Sequence, residues 1–384
     1  MLLTKNIFLS YYKYSRIILG INSMTNSKCE EKVIGIPRAM SFYNNYPFYY
    51  GFFNDLGIKI VLSDVTTKQT MSDGAALVVT ETCLPIKVYI GHILNLINKG
   101  VDKILVPSLQ SVDNKIYNCS KIRGLPDLVR NVVKQPFTMI EATLDKSEKN
   151  QGLYHFLSEA VRPFGITDMN VIKRASKAGW RCYNNFYVMT KSGLPYSKAL
   201  SYALQGKVVI SNTTKEYPIS IALVGHGYNI YDERVCMKIF DKLEKMDVKV
   251  CTSLQLSAEQ LDEGIASLGN EKYWANEDEM TGSAGHYLKD NKVDGVITIT
   301  AFGCGPDSLM VERITRRAKQ FNKPLLNLTI DEQTGEAGFV TRLEAFVDML
   351  FRKKRASIVN KLNMNQQEGS YSPNTEFIET KSMN

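Results

Sequence analysis

The chain has 384 residues, of which 44% are hydrophobic and 22% charged; this length and balance suit two globular cores rather than one. No run approaches the roughly 20 uninterrupted apolar residues that a membrane span needs. The formal charge of +8 sits at the two ends, with Lys5, Lys13, Arg16 and Lys28 among residues 1–28 and the run Arg352-Lys353-Lys354-Arg355. The remainder is near neutral, which argues against nucleic acid as a partner, since that would want a basic face on the folded body.

Residues 1–31 read as a poorly ordered leader. Lys13 and Arg16 interrupt its apolar stretch and no small-residue cleavage site follows, so a secretory signal is not supported. Met24 is an alternative start, and whether residues 1–23 are made stays open. Strand-like runs then alternate with helix-length segments: KVIGIP (32–37), IKIVL (58–62), ALVV (76–79), KILVP (103–107) and FTMIEAT (137–143). Continuous apolar runs of this kind predict a parallel sheet covered on both faces. This gives a first α/β lobe over 32–145. Segments such as GLYHFLSEAVRPFG and SKALSYALQG predict a helical connector over 146–210. Strands resume at ISIALVG (219–225), VKVCTS (248–253), DGVITIT (294–300) and PLLNLTI (324–330), giving a second lobe over 211–356. The expected architecture is two doubly wound, Rossmann- or flavodoxin-like parallel-sheet lobes. Residues 357–384, rich in Asn, Ser, Gln, Glu and Thr, read as a disordered tail.

Seven cysteines (Cys29, Cys83, Cys119, Cys182, Cys236, Cys251 and Cys304) include no CxxC pair. The chain is also too long and cysteine-poor for a disulfide scaffold. Any metal site must therefore gather single cysteines from distant segments. In open α/β sheets ligands sit beyond the carboxyl ends of strands. Cys83 (ETCLPIK), Cys119 (IYNCSKIRG) and Cys304 (AFGCGPDS) follow predicted strands. Cys236 reads as helical, Cys251 as strand, Cys182 as connector and Cys29 as leader.

Cys83 and Cys304 are each followed by one residue and a proline, which suits the first turn of a helix. Each sulfur would then lie at a helix N-terminus, where the dipole favours a thiolate. Gly303 and Gly305 would let the backbone approach a bulky ligand. A lone cysteine after a strand is commonly a small buried hydrophobe, so residues alone leave a shared metal cluster and separate packing roles both open. Lys87, Lys121 and Arg123 would offset a cluster's negative charge, or are solvated loop cations.

His226, in the glycine-flanked VGHGYNIYD, is the best placed of four histidines for a substrate contact, with a tight turn as the alternative. His92 reads as inward-facing or capping. Asp331, Glu332 and Glu336 in TIDEQTGEAG suit acid–base work or a capped helix start. Neither GxGxxG nor GxxxxGK[ST] is present, so no NAD or P-loop site is expected.

The segments IGIPRAM, NDLGIKIVLSDVTTK, ETCLPIKVYIGHI, CSKIRGLPDLVR, VGHGYNIYD, TAFGCGPDSL and DEQTGEAGFVTRLEAFVDML occur in that order. Together they resemble the acyl-CoA dehydratase activase-related family, relatives of the 2-hydroxyglutaryl-CoA dehydratase D-component, over about 32–352. The resemblance implies two α/β lobes around a 4Fe–4S cluster, single or double-cubane, held by Cys83, Cys119 and Cys304 with one iron open. It further implies low-potential electrons from a separate ATP-dependent activase and radical dehydration or reduction of a small, acyl-CoA-type substrate. Lys87, Gly303 and Gly305 would lie beside the cofactor, and His226 and Glu336 would contact substrate. A homo- or heterodimer in an anaerobic, reducing cytoplasm is the expected setting. The alternatives are a non-catalytic electron-transfer or scaffold subunit partnering an activase or dehydratase, and a metal-free binding protein. Two departures weaken the match. His226-Gly227-Tyr228-Asn229 stands where the family often has His-Pro-Tyr-Asn, and Gln333 where it often has His.

Overall fold

The computed structural model of the protein describes residues 31–368 apart from 213–214 and 270, so the leader, Cys29 and residues beyond 368 lie outside the described residues. The first sheet contains β1 (Val33–Ile36), β2 (Lys59–Leu62), β3 (Lys103–Asp113), β4 (Ile116–Tyr117) and β5 (Thr138–Asp145). Strands β2, β1, β3 and β5 pair in that order, all parallel, while the short β4 runs antiparallel to β3. The second sheet contains β6 (Ile219–Val224), β7 (Val248–Cys251), β8 (Gly295–Ala301) and β9 (Leu325–Ile330). Its order β7-β6-β8-β9 is fully parallel. Both lobes thus repeat one winding, in which the first strand lies between the second and third. The chain reverses direction across the sheet at β1/β3 and again at β6/β8, where such folds open a crevice beyond the strand ends.

Every β8 side chain is buried, as the apolar run DGVITIT predicts for a strand covered on both faces. Between the lobes run helices Leu153–Val161, Met169–Lys191 and Tyr196–Leu204. Met169–Lys191 packs on Phe42–Asp55 of the first lobe, with Trp180 set edge-on to Phe48 at 5.0 Å.

Two sequence expectations change. ALVV (76–79) forms no strand: Ala76 and Leu77 end a helix, Lys68–Leu77, begun by a Thr67–Thr70 capping box. Periodicity over four apolar residues cannot separate a strand from a buried helix end. Here helix pairing decides the outcome. A Cβ on Gly74 would strike the Lys87 carbonyl, and one on Gly91 the Thr70 carbonyl, so this helix and Leu84–Asn98 approach backbone to backbone. The final helix, Glu336–Glu368, continues beyond residue 357, where composition suggests a tail. No described helix is long and apolar enough to cross a membrane.

Candidate functional site

All three singled-out cysteines are helix N-caps. Cys83 caps Leu84–Asn98, Cys119 caps the turn Ser120–Arg123, and Cys304 caps Gly305–Gln320. Proline in the first turn of the Cys83 and Cys304 helices lacks the N–H that would there be unpaired, as the Cys-x-Pro spacing predicts. Cys304 follows β8 at the crevice of the second lobe. Cys119 follows β4, whereas Cys83 follows a helix rather than a strand. Cys236 lies in a turn ahead of helix Ile239–Lys245, not inside a helix.

The loops bearing Cys83 and Cys304 touch. Gly303 has φ +77°, and a Cβ there would come 3.0 Å from the Glu81 carbonyl and 3.6 Å from the Cys83 Cα. Glycine at 303 is thus required twice, by conformation and by space. A Cβ on Gly305, by contrast, would meet open space.

Cys83 is within electrostatic reach of both other cysteines, feeling Cys119 and acting on Cys304. Burial raises the Cys83 thiol pKa, opposed by Lys121 and assisted by Cys119 and Asp307. Burial, then Asp307, raises that of Cys304, with Cys83 adding to the shift. Each neighbouring negative charge makes the next thiolate harder to form, so the Cys83 and Cys304 thiols hold their protons more tightly than an ordinary thiol. Among the described residues, no group of three or more His, Cys, Asp or Glu side chains is close enough together to hold a metal ion.

His226 caps the turn Gly227–Ile230 directly after β6. Its Nδ1 lies 2.9 Å from Glu279 Oε2 and its Nε2 2.9 Å from Asp307 Oδ1. Burial alone would depress its pKa, but Asp307 and Glu279 outweigh burial and raise it to about 10. His226 is therefore an imidazolium held by two carboxylates rather than a free base.

Asp307, on the third position of the Cys304 helix, lies close enough to the Cys304 sulfur for its charge to raise that thiol's pKa. Its Oδ2 is buried without a partner. Tyr228 stacks on His226 with ring centroids 5.1 Å apart. Burial raises the Tyr228 pKa well above that of an ordinary phenol, followed by Asp307, Cys304, Glu279 and Cys119. Hydrogen bonds thus run from Glu279 through His226 to Asp307, whose charge acts on Cys304.

Sequence reasoning missed Asp307 and Glu279. Asp307 was visible as an acid three residues after a capping cysteine. Glu279 sits in a π-helical turn, Asp278–Gly282, a local irregularity that often marks a site but has no periodicity to betray it.

Lys87 is buried, 4% exposed at its side chain, and donates to the Thr80 carbonyl at 2.9 Å and to Glu332 Oε1 at 2.5 Å. The structure thereby ties the Cys83 helix to the loop after β9. Arg123 packs over Tyr117 and donates to Gln110. Asp331 caps its own turn by accepting from Gln333 N and Thr334 Oγ1. Glu336 is 65% exposed and pairs with Lys242 at 2.7 Å, which lowers its pKa. That contact sets it apart from the His226 line. His92 is fully buried, its pKa drawn down to about 3 chiefly by burial, and Nε2 meets Thr66 Oγ1 at 2.9 Å.

Two parallel α/β lobes with chemistry gathered at helix N-termini beyond the strand ends define the class. The chain belongs to the family of the CoA enzyme activase uncharacterised domain, which matches residues 33–256. Residues 225–350 match the 2-hydroxyglutaryl-CoA dehydratase D-component, so the protein is dehydratase- and activase-related. No curated protein matches the chain.

Among solved structures, a putative phosphosugar isomerase from Silicibacter pomeroyi DSS-3 is 10% identical, covering 85% of this chain and 87% of that one, with TM-score 0.19. The C-terminal domain of glucosamine-fructose-6-phosphate aminotransferase from Francisella tularensis is 10% identical, with 84% of each chain covered and TM-score 0.20. Glucosamine-6-phosphate deaminase from Thermotoga maritima is 11% identical, with 85% and 86% covered and TM-score 0.18. Scores of this size do not establish a shared fold.

Proposed function

We propose that Cys83, Cys119 and Cys304 hold an iron–sulfur cluster of the 4Fe–4S type, and that the protein receives low-potential electrons from an ATP-dependent activase to drive radical dehydration or reduction of an acyl-CoA-type substrate. What supports this reading is that all three cysteines are N-caps, the loops of Cys83 and Cys304 touch, and Cys83 lies within electrostatic reach of both others. A single ion needs donors converging on one point. A cluster needs thiolates spaced around it, each on its own backbone support, and its iron would offset the burial that raises the Cys83 and Cys304 thiol pKa values.

When bound, the cluster would supply one-electron chemistry and an open iron for a substrate oxygen. The protein's own part would be positional and electrostatic. Asp307 sets the charge beside the Cys304 sulfur, while His226 keeps a proton fixed between Asp307 and Glu279. Tyr228 screens that line from water, and Lys87 fixes the Cys83 helix through Glu332. Glycine at 305 leaves space beside Cys304. A reducing cytoplasm and a homo- or heterodimeric assembly fit a protein that must keep these thiols reduced and meet a donor.

The test is iron and acid-labile sulfide per chain after anaerobic purification, beside a Cys83→Ser/Cys119→Ser/Cys304→Ser triple variant. About four of each, lost in the variant, are expected. No iron in the wild-type chain after reconstitution would overturn the assignment.

A further inference from the structure

The basic run Arg352–Arg355, which supplies half of the formal charge surplus, has no part in the cysteine site. Lys353 and Lys354 line an open groove of about 710 Å³ between the final helix and the loops that enter β8 and β9, with Lys289 and Lys323 beside them. That is the amino edge of the second sheet. It is separated from Cys304 by the length of β8, about 20 Å for its seven residues.

Asp294 is the one acid in the lining, and Lys354 already holds it at 3.0 Å. Lys289, Lys323 and Lys353 also line the groove and, among the described residues, form no salt bridge, although Lys353 donates to the Asn322 carbonyl at 3.4 Å. Lys323 is fixed in place, donating to the carbonyls of Asp290 at 2.9 Å and Val293 at 2.7 Å. Burial draws its pKa down, with Lys353 acting in the same sense and Asp290 and Asp294 opposing. Gathered like charges cost energy until an anion enters.

The rest of the wall is mixed, with Asn291, Asn322 and Ser357 among apolar residues. Phe321 shows 38% of its surface, next to Pro324 and Leu350. A volume of several hundred Å³ matches sites for small molecules. Phosphate groups would meet the lysines, and a planar ring would lie on Phe321.

We propose that this groove binds a nucleotide, its polyphosphate on Lys289, Lys323 and Lys353 and its base against Phe321. The site is independent of the cysteine chemistry at the opposite sheet edge, so neither proposal depends on the other.

Calorimetric titration of the full chain with ATP, tripolyphosphate and adenosine tests it. One-to-one ATP binding is expected, weakened about tenfold each by Lys289→Glu and Lys353→Glu, the loss of one charge-assisted contact. Phe321→Ala should weaken ATP several-fold and leave tripolyphosphate unchanged, with Phe321→Tyr retaining affinity. Thermal melts should show all four variants folded. Absence of saturable ATP binding, or affinity unmoved by both lysine reversals, would overturn the site. Tripolyphosphate binding as tightly as ATP, with no effect of Phe321→Ala, would overturn the nucleotide assignment.

Discussion

His226 Nε2 and Asp307 Oδ1 meet at 2.9 Å, joining the loop after β6 to the helix after β8 across the mouth of the second sheet. Both groups are buried, so the pair is shielded from solvent and from salt. Removing one partner leaves the other charged and desolvated, which typically costs about 3–5 kcal/mol. Asp307→Ala should lose stability of that order in urea unfolding, and Asp307→Asn, which keeps a hydrogen-bonding group, clearly less. Equal stability of Asp307→Ala and wild type would mean that His226 is neutral.

The two buried histidines set opposite limbs of the pH–stability profile. His226 has its folded pKa raised to about 10, above the ordinary 6.5. Its stabilisation is therefore full below about 6.5 and is lost as pH climbs through about 10. His92 has its folded pKa lowered to about 3. Protonation of the unfolded chain therefore erodes stability as pH falls from about 6.5 toward 3. Melts across pH 4–10 should show both limbs. His226→Gln should flatten the alkaline one only, and a profile unchanged by that substitution would refute the assignment.

What could be read from the sequence follows physical range. The strands other than ALVV form where buried apolar runs stand, because a strand covered on both faces needs local apolarity and little else. The capping positions of Cys83 and Cys304 were legible because proline two residues on fixes the first helical turn. Cys119 lacks that proline, and its cap became visible only with the fold. ALVV misled because its partner is a glycine on another helix, Gly91 meeting the helix that holds Gly74. Glu279 and Asp307 lie in sequence 53 and 81 residues from His226, and no local pattern encodes such a meeting.

Lys87 and Glu332 are brought together from the two lobes by the fold, 2.5 Å apart. With Lys87 enclosed and Glu332 only partly so, the pair falls between surface and buried cases. Lys87→Met should cost about 1–3 kcal/mol. In a double-mutant cycle with Glu332→Gln, the coupling should exceed that of the exposed Arg316–Glu312 pair. Coupling indistinguishable from zero would show that the lobes are not fastened there.

Gly303 offers the sharpest test of the cysteine geometry, because its replacement alters the backbone between two proposed ligands without touching either sulfur. With φ +77°, an alanine there pays about 1–2 kcal/mol for the left-handed conformation. Its Cβ would also press on the Glu81 carbonyl at 3.0 Å, pushing the Cys304 turn away from Cys83. Gly305→Ala meets open space and should be nearly neutral for folding. Gly303→Ala should therefore lower both unfolding free energy and iron bound per chain, whereas Gly305→Ala should change the first little. Retention of wild-type iron by folded Gly303→Ala would show that Cys83 and Cys304 do not share a cluster.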